Sequence, residues 1–252
     1  EQFASKALAG VGVPFYLMAA RTHRMRAAGL VSAGSDTNPA DLLDLVALGT
    51  VADVVPLDLN NRILVAQGLR RIRAGRCAPG LRALLEVAGR KLDSVIAQDL
   101  GFQAGPRLNA AGRLEDMALG IECLLTASPV EAGELAARLS QLNSDRRQLE
   151  TRMQQEALTK IDTLSASFEG RMPAGLCLFD GGWHQGVIGL VASRVKDRVH
   201  RPVIAFAPGE PGWVKGSARS VAGIHVRDAL DAIATRNPGL LDKFGGHAMA
   251  AG

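Results

Sequence analysis

The chain has 252 residues, of which 47% are hydrophobic and only 4% aromatic, so it can bury a core of Leu, Val, Ile and Ala as one large domain or two ordinary ones. No run reaches the apolar length of a membrane span, so no membrane partner is expected, and the N-terminus has no signal-peptide pattern. The formal charge of +4, with a pI near 9.3, is mildly basic and points weakly to an anionic partner.

That charge is unevenly spread. Residues 172–252 hold nine Lys/Arg against six Asp/Glu, and four of the five histidines: His184, His200, His225 and His247. Cys77, Cys123 and Cys177 are far apart, lie among apolar neighbours and lack metal-ligand spacing, so they read as reduced core thiols of a cytoplasmic protein. The chain has no initiating Met, and HAMAAG reads as the middle of an element, so a fragment is expected at both ends.

Residues 3–29 read as a helix with Ala7, Leu8, Val11, Phe15 and Met18 near one face. SAGSDTNP, residues 32–39, reads as a turn in which Asn38 caps a helix that has Pro39 at its first position. That helix runs into VALGTVADVVPL, residues 46–57, an apolar run broken by Asp53 alone. A carboxylate among such neighbours is expected to lose hydration, and a divalent cation would compensate; a helix cap is the plainer alternative. LDLNNRILVAQGLRRIRAG reads as a helix with Ile63, Leu64, Leu69 and Ile72 inward, and 79–88 as another.

DLGFQAGPRLNAAGRLEDM, residues 99–117, has a glycine and proline content that reads as a loop. Arg107 and Arg113 are its phosphate candidates, with Asn109 as a positioning residue, against a surface pairing of Arg113 with Glu115 or Asp116. Residues 128–165 carry a capping-box start, Ser128-Pro129-Val130-Glu131, and helical apolar spacing from Leu135 to Leu164. If not broken at Asn143-Ser144-Asp145, this helix would reach on the order of 50 Å and could link two lobes across a cleft, or pack along one domain.

From 172 the pattern turns α/β. GLCLF, PVIAFA and WVKGSARSV read as strands, VIGLVASRVKDRV and HVRDALDAIA as helices. Three polar clusters fall at element ends: Trp183/His184/Gln185, Ser217/Arg219/Ser220 and Gly245/Gly246/His247. Ligands gather at such ends in open α/β sheets. A glycine, a hydroxyl and an arginine in GSARS suit a phosphate, whereas His184 could equally cap its helix and His247 follow a tight turn.

The ordered set LGTVADVVPL, GPRLNAAGR, LNSDRRQLE, GWHQGVIGLVASRV, RPVIAF, GSARS and FGGHAMAAG resembles the RecJ family of bacterial single-stranded-DNA-specific exonucleases, within the DHH phosphoesterase superfamily. The resemblance implies an α/β protein in three parts: the mostly helical C-terminal part of a DHH lobe (1–127), a connecting helix (128–171) and a DHHA1 lobe with a mixed sheet (172–252). It implies 5′→3′ hydrolysis of single-stranded DNA in repair and recombination with Mn²⁺ or Mg²⁺, and partners such as a helicase or single-strand-binding protein. It assigns Asp53 as a metal ligand; Ser217, Arg219, Gly245, Gly246 and His247 as substrate-facing; and Arg107, Asn109 and Arg113 as cleft-lining. His184 joins them as a candidate contact, and Trp183 as a base-stacking one, against plain packing.

The Asp-His-His signature is absent from these residues, and a two-metal site needs several ligands, so the chain by itself is expected to be inactive. The alternatives are a DHH-type phosphodiesterase of short oligonucleotides or cyclic dinucleotides, and a non-catalytic nucleic-acid-binding scaffold.

Overall fold

The computed structural model describes residues 3, 5–30, 38–167 and 172–252, with the backbone alone for 164–167. The expected turn at 32–39 therefore lies mostly outside the described residues. Contacts divide the chain into two compact units, Glu1–Ser144 and Asp145–Gly252. No helix among the described residues is long and apolar enough to cross a membrane.

The first unit is helical. Its N-terminal helix α1 spans Gly12–Ala27, shorter than the 3–29 expected. Asn38 does cap the short 3₁₀ turn Pro39–Leu42, its side chain accepting from Ala40 N at 3.1 Å. Then follow α2 (Leu43–Ala52), α3 (Leu59–Arg73) and α4 (Pro79–Val87). Their core is aliphatic: Ala47, Leu48, Ile72, Leu81, Leu84 and Leu85 are buried together with Leu139 and Leu142. Ile63, expected inward, is instead exposed, because α3 turns Leu64 and Val65 to the interior.

Buried polar groups fix these helices. Asp44, 1% exposed on the first turn of α2, accepts the backbone N–H of Ala78 at 2.7 Å and so ties α2 to the start of α4. Asp58 caps α3 by accepting from Asn61 N at 2.9 Å and also takes the Ser5 hydroxyl at 2.6 Å; these bonds hold its carboxyl below the usual range. Buried Asn61 donates to the carbonyls of Ala7 and Pro56, which sets the turn between α2 and α3.

The stretch 99–117 is not a loop. Its backbone runs through α5 (Ala97–Asp99), a π-helical turn (Leu100–Ala104) and α6 (Gly105–Leu114). Pro106 falls in the first turn of α6, where a missing N–H is tolerated, so the apparent breakers continue the helix. Helix α7 (Ala118–Leu125) follows, and then α8, unbroken from Pro129 to Ser167. The boundary between the two units falls within it. Ser128 Oγ accepts from Glu131 N at 3.3 Å as expected, while the Glu131 carboxylate takes the Thr126 hydroxyl.

The second unit holds a four-stranded mixed sheet in the order β1-β2-β3-β4. Strand β1 (Leu176–Phe179) pairs parallel with β2 (Val203–Pro208), and α9 (Ile188–Val199) makes the crossover that parallel pairing requires. Strands β3 (Val214–Arg219) and β4 (Ala250–Ala251) add antiparallel. Val203, Ala205 and Ala207 of β2 are buried, as are Ile188, Val191 and Val195 of α9, which packs on this strand. On the other face Ala218 and Ala251 pack with Val226 and Leu230 of α10 (Val226–Arg236). Cys123 is a core thiol, pushed up to about 11 by burial, but Cys177 is exposed, because β1 alternates and turns it away from the buried face.

The end of α2 departs most from expectation. Thr50 is fully buried, yet Asp53, at the helix C-cap, is exposed, so the desolvated carboxylate expected there is not found. The apolar run is helical, and its buried stripe stops one turn before Asp53. Val54 then takes φ 57° and is 86% exposed. A β-branched residue in the left-handed region is strained, and this one gains no burial in return. Val54→Gly is expected to stabilise the protein by roughly 1 kcal/mol, read as a rise in thermal midpoint, because the strain removed exceeds the added chain entropy. Val54→Thr, which keeps the branch, should give no gain.

Candidate phosphate-binding site

Two elements of the second unit meet closely at one point. Strand β3 ends in Gly216-Ser217-Ala218-Arg219, and its unbroken pairing with β2 puts Ser217 and Arg219 on the same face. Arg219 Nη1 donates to Ser217 Oγ at 3.1 Å and to the Ala218 carbonyl at 2.8 Å. Beside them lies the first turn of α9. A β-carbon added at Gly189 would stand 2.7 Å from Arg219 Nη2 and 2.9 Å from Ser217 Oγ. Glycine is thus what allows the guanidinium to rest on the helix.

The chemistry of that contact is specific. The first amides of a helix have no acceptor four residues back, although in α9 Leu190 N already donates to Val187 O at 2.9 Å, and the helix dipole adds partial positive charge there. A hydroxyl and a guanidinium fork beside such amides make a set of donors with the charge and geometry to hold a phosphate. Sequence reading missed Gly189. Its signal was a glycine inside a helical pattern, which is unfavourable by about 1 kcal/mol relative to Ala unless close packing requires it.

The glycine–histidine cluster is built onto the same strand. Gly245 and Gly252 exchange both backbone hydrogen bonds, at 2.8 and 2.9 Å, and His247 N closes a tight turn on Ala250 O at 2.7 Å. Ala250 pairs with Arg219, so the turn that carries His247 is anchored at the arginine. Gly246 has φ 138°, and a β-carbon there would lie 2.4 Å from Ala250 O, so only glycine fits. His247 is exposed. Ser220, grouped with Ser217 and Arg219 in the sequence, is buried and donates to Ile224 O at 2.7 Å, which makes it a brace for the loop.

Trp183 does not fit the stacking role expected of it. It is 4% exposed, and its Nε1 donates to Glu156 Oε2 at 2.9 Å, so no ring face is open to a base. With the Lys160–Asp180 ion pair at 3.1 Å it fastens the β1–α9 loop to α8. The Gly182 N–H and the Lys160 ammonium hold the Asp180 carboxyl below its ordinary range. His184 Nδ1 accepts from Gly186 N at 3.1 Å, capping the turn that leads into α9.

The other candidates lie in the first unit. Arg107 donates to the Gln103 carbonyl at 2.8 Å and to Ser140 Oγ at 3.3 Å, bonds that join the π turn and α6 to α8. Asn109 and Arg113 are one turn apart on α6, the spacing of same-face neighbours; Asn109 is exposed and Arg113 half-buried. Glu115, one anticipated partner of Arg113, is bound by Arg138 at 2.6 Å. Asp53 stands at the end of α2 as described. Among the described residues no group of three or more His, Cys, Asp or Glu side chains could hold a metal ion. One carboxylate cannot by itself make up a two-metal site.

Comparison with known proteins agrees with this architecture. Residues 173–252 match the DHHA1 domain, so the α9–β3 contact and the glycine–histidine hairpin both lie in a domain of the DHH/DHHA1 superfamily. Across 99% of its length the chain is 58% identical to the single-stranded-DNA-specific exonuclease RecJ of Dickeya dadantii, of which it spans 44%. It is 37% identical to the Bacillus subtilis RecJ over 98% of its length, spanning 29% of that protein. The crystal structure of RecJ from Thermus thermophilus in complex with Mn²⁺ superposes with a TM-score of 0.72 at 37% identity, over 85% of this chain and 30% of that one. The chain belongs to the RecJ family, and it spans less than half the length of these curated relatives.

Two substitutions separate packing from binding here. Trp183→Phe should lower stability by about 1 kcal/mol, through loss of the bond to Glu156, while single-strand affinity in a fluorescence-anisotropy titration stays within about twofold. Gly246→Ala should destabilise by more than about 1 kcal/mol in thermal unfolding, since it forces a β-carbon against a carbonyl.

Proposed function

We propose that this chain is the strand-holding part of a 5′→3′ exonuclease that hydrolyses phosphodiester bonds of single-stranded DNA. The observation that carries the reading is the approach of Arg219 and Ser217 to the first turn of α9, which puts a guanidinium and a hydroxyl beside the start of a helix. One phosphate of the strand is held by the guanidinium, the hydroxyl and the helix amides. His247, on the adjoining turn, faces the same strand. Asn109 and Arg113 serve as further backbone contacts, and Arg107 positions α6. The three-part organisation follows the same reading: part of a DHH lobe to residue 127, α8 as connector and a DHHA1 lobe from residue 172.

The RecJ proteins of known structure are described in complex with Mg²⁺ or Mn²⁺. In this chain Asp53 is the proposed contribution to such a centre, and the remaining ligands belong to the rest of a RecJ-type polypeptide. Metal chemistry therefore does not follow from these residues alone. What does follow is binding by charge and hydrogen bonds, with affinity that falls as salt rises. Roles in repair and recombination, a cytoplasmic setting and contacts with a helicase or single-strand-binding protein rest on the family reading.

The test begins with the 252-residue chain and labelled oligothymidine. It should bind single strands without added metal, prefer them to duplex, and cleave nothing. Arg219→Ala should weaken binding and lower the slope of log affinity against log salt by about 0.7, the value for one phosphate contact on a single strand. An unchanged slope contradicts the cradle. In a polypeptide that joins this chain to the remaining length of its RecJ relatives, Asp53→Ala should abolish cleavage of 5′-phosphorylated single strands and leave affinity near normal. Near-normal turnover would remove Asp53 from the site. Cleavage confined to dinucleotides or cyclic dinucleotides would favour a small-substrate phosphodiesterase, and no cleavage at all a binding scaffold.

A further inference from the structure

We propose that β3 carries a subsite for the neighbouring nucleotide of the strand, in which Lys215 holds the next phosphate and Trp213 stacks on a base. The inference rests on the phosphate reading of Ser217 and Arg219 and extends it along the strand. Strand β3 pairs with β2 residue by residue, from Val203↔Arg219 to Pro208↔Val214, without a bulge. Alternation therefore places Lys215 on the same face as Ser217 and Arg219. The opposite face is fixed by Gly216, where a β-carbon would lie 2.7 Å from Phe206 Cε1, so the Phe206 ring lies close over the glycine. A slip of one residue would drive Lys215 into that ring, so the register is strongly held.

Lys215 is exposed. Lys160 and Lys196 of this unit are each paired with a carboxylate, at 3.1 and 2.7 Å; Lys215 has no such partner among the described residues. Positions of one face recur about every 6.8 Å along a strand. Phosphates of one strand of a duplex advance about 3.4 Å along its axis. The row thus suits a single strand drawn out along β3.

Trp213 continues the row. Gly209 N donates to Trp213 O at 3.0 Å, which carries the β2–β3 ladder one pair beyond Val214 and keeps the alternation. The residue is 54% exposed at the end of the hairpin. An exposed indole beside an unpaired ammonium, in line with a hydroxyl and a guanidinium, is the mixture of stacking platform and positive track that single strands bind. The buried Trp183 cannot supply that platform; Trp213 can.

The test measures binding of labelled oligothymidine by the 252-residue chain across a potassium chloride series, with thermal midpoints confirming folding. Lys215→Gln should weaken binding about threefold or more at low salt and lower the salt slope by about 0.7. Trp213→Ala should weaken binding about fivefold or more with the slope unchanged, as for a lost stack. If Arg219→Ala weakens binding while either of these variants binds like the parent, the assignment of that residue is overturned and the cradle stands. If Arg219→Ala also binds like the parent, the phosphate reading itself fails, and the subsite with it.

Discussion

The contact between the first turn of α9 and the end of β3 is the constraint on which the functional half of this chain depends. Residue 189 has no side chain, so a guanidinium and a hydroxyl come within van der Waals reach of the helix backbone. Everything that positions those groups is ordinary architecture. The β1–α9–β2 crossover buries Val191 and Val195 together with Val203 and Ala205, which fixes the helix against the sheet. The β2–β3 register then decides which side chains of β3 look toward it.

The fold's stability is kept largely apart from that site. In the first unit an aliphatic core is cross-braced by buried polar groups, Asp44 on the start of α4 and Asn61 on the turn after α2. In the second, Trp183 and Asp180 fasten a glycine-rich loop to α8. These groups resemble site residues in a sequence because both kinds are polar residues among apolar ones. The difference is in what their hydrogen bonds join: the braces link separate elements, whereas the bonds from Arg219 to Ser217 and Ala218 stay within β3.

Most elements are legible in the sequence because their signals are local. The strands of the second unit, the cap at Asn38 and the start of α8 at Pro129 are written in short stretches. Sequence reading fails where tertiary geometry decides. The apolar neighbours of Asp53 suggest a desolvated carboxylate, but helical rotation carries it out of the core at the C-cap. The glycines and proline of 99–117 look like breakers, but Gly101 is taken up in a π turn and Gly105, Pro106 and Gly112 in α6. Of two tryptophans, the one beside a histidine stands out in the sequence and is packing, while the less conspicuous one lies open on the hairpin. Ser217 and Arg219 are legible as a pair, yet nothing local shows that Gly189 lies under them.

The most direct measurement is a nuclear magnetic resonance titration of the ¹⁵N-labelled chain with a short 5′-phosphorylated oligothymidine. The account predicts saturating shifts centred on the backbone amides of Ile188 and Gly189 and on the Arg219 side-chain Nε. Shifts centred in Glu1–Ser144, with those signals unmoved at saturation, would contradict it.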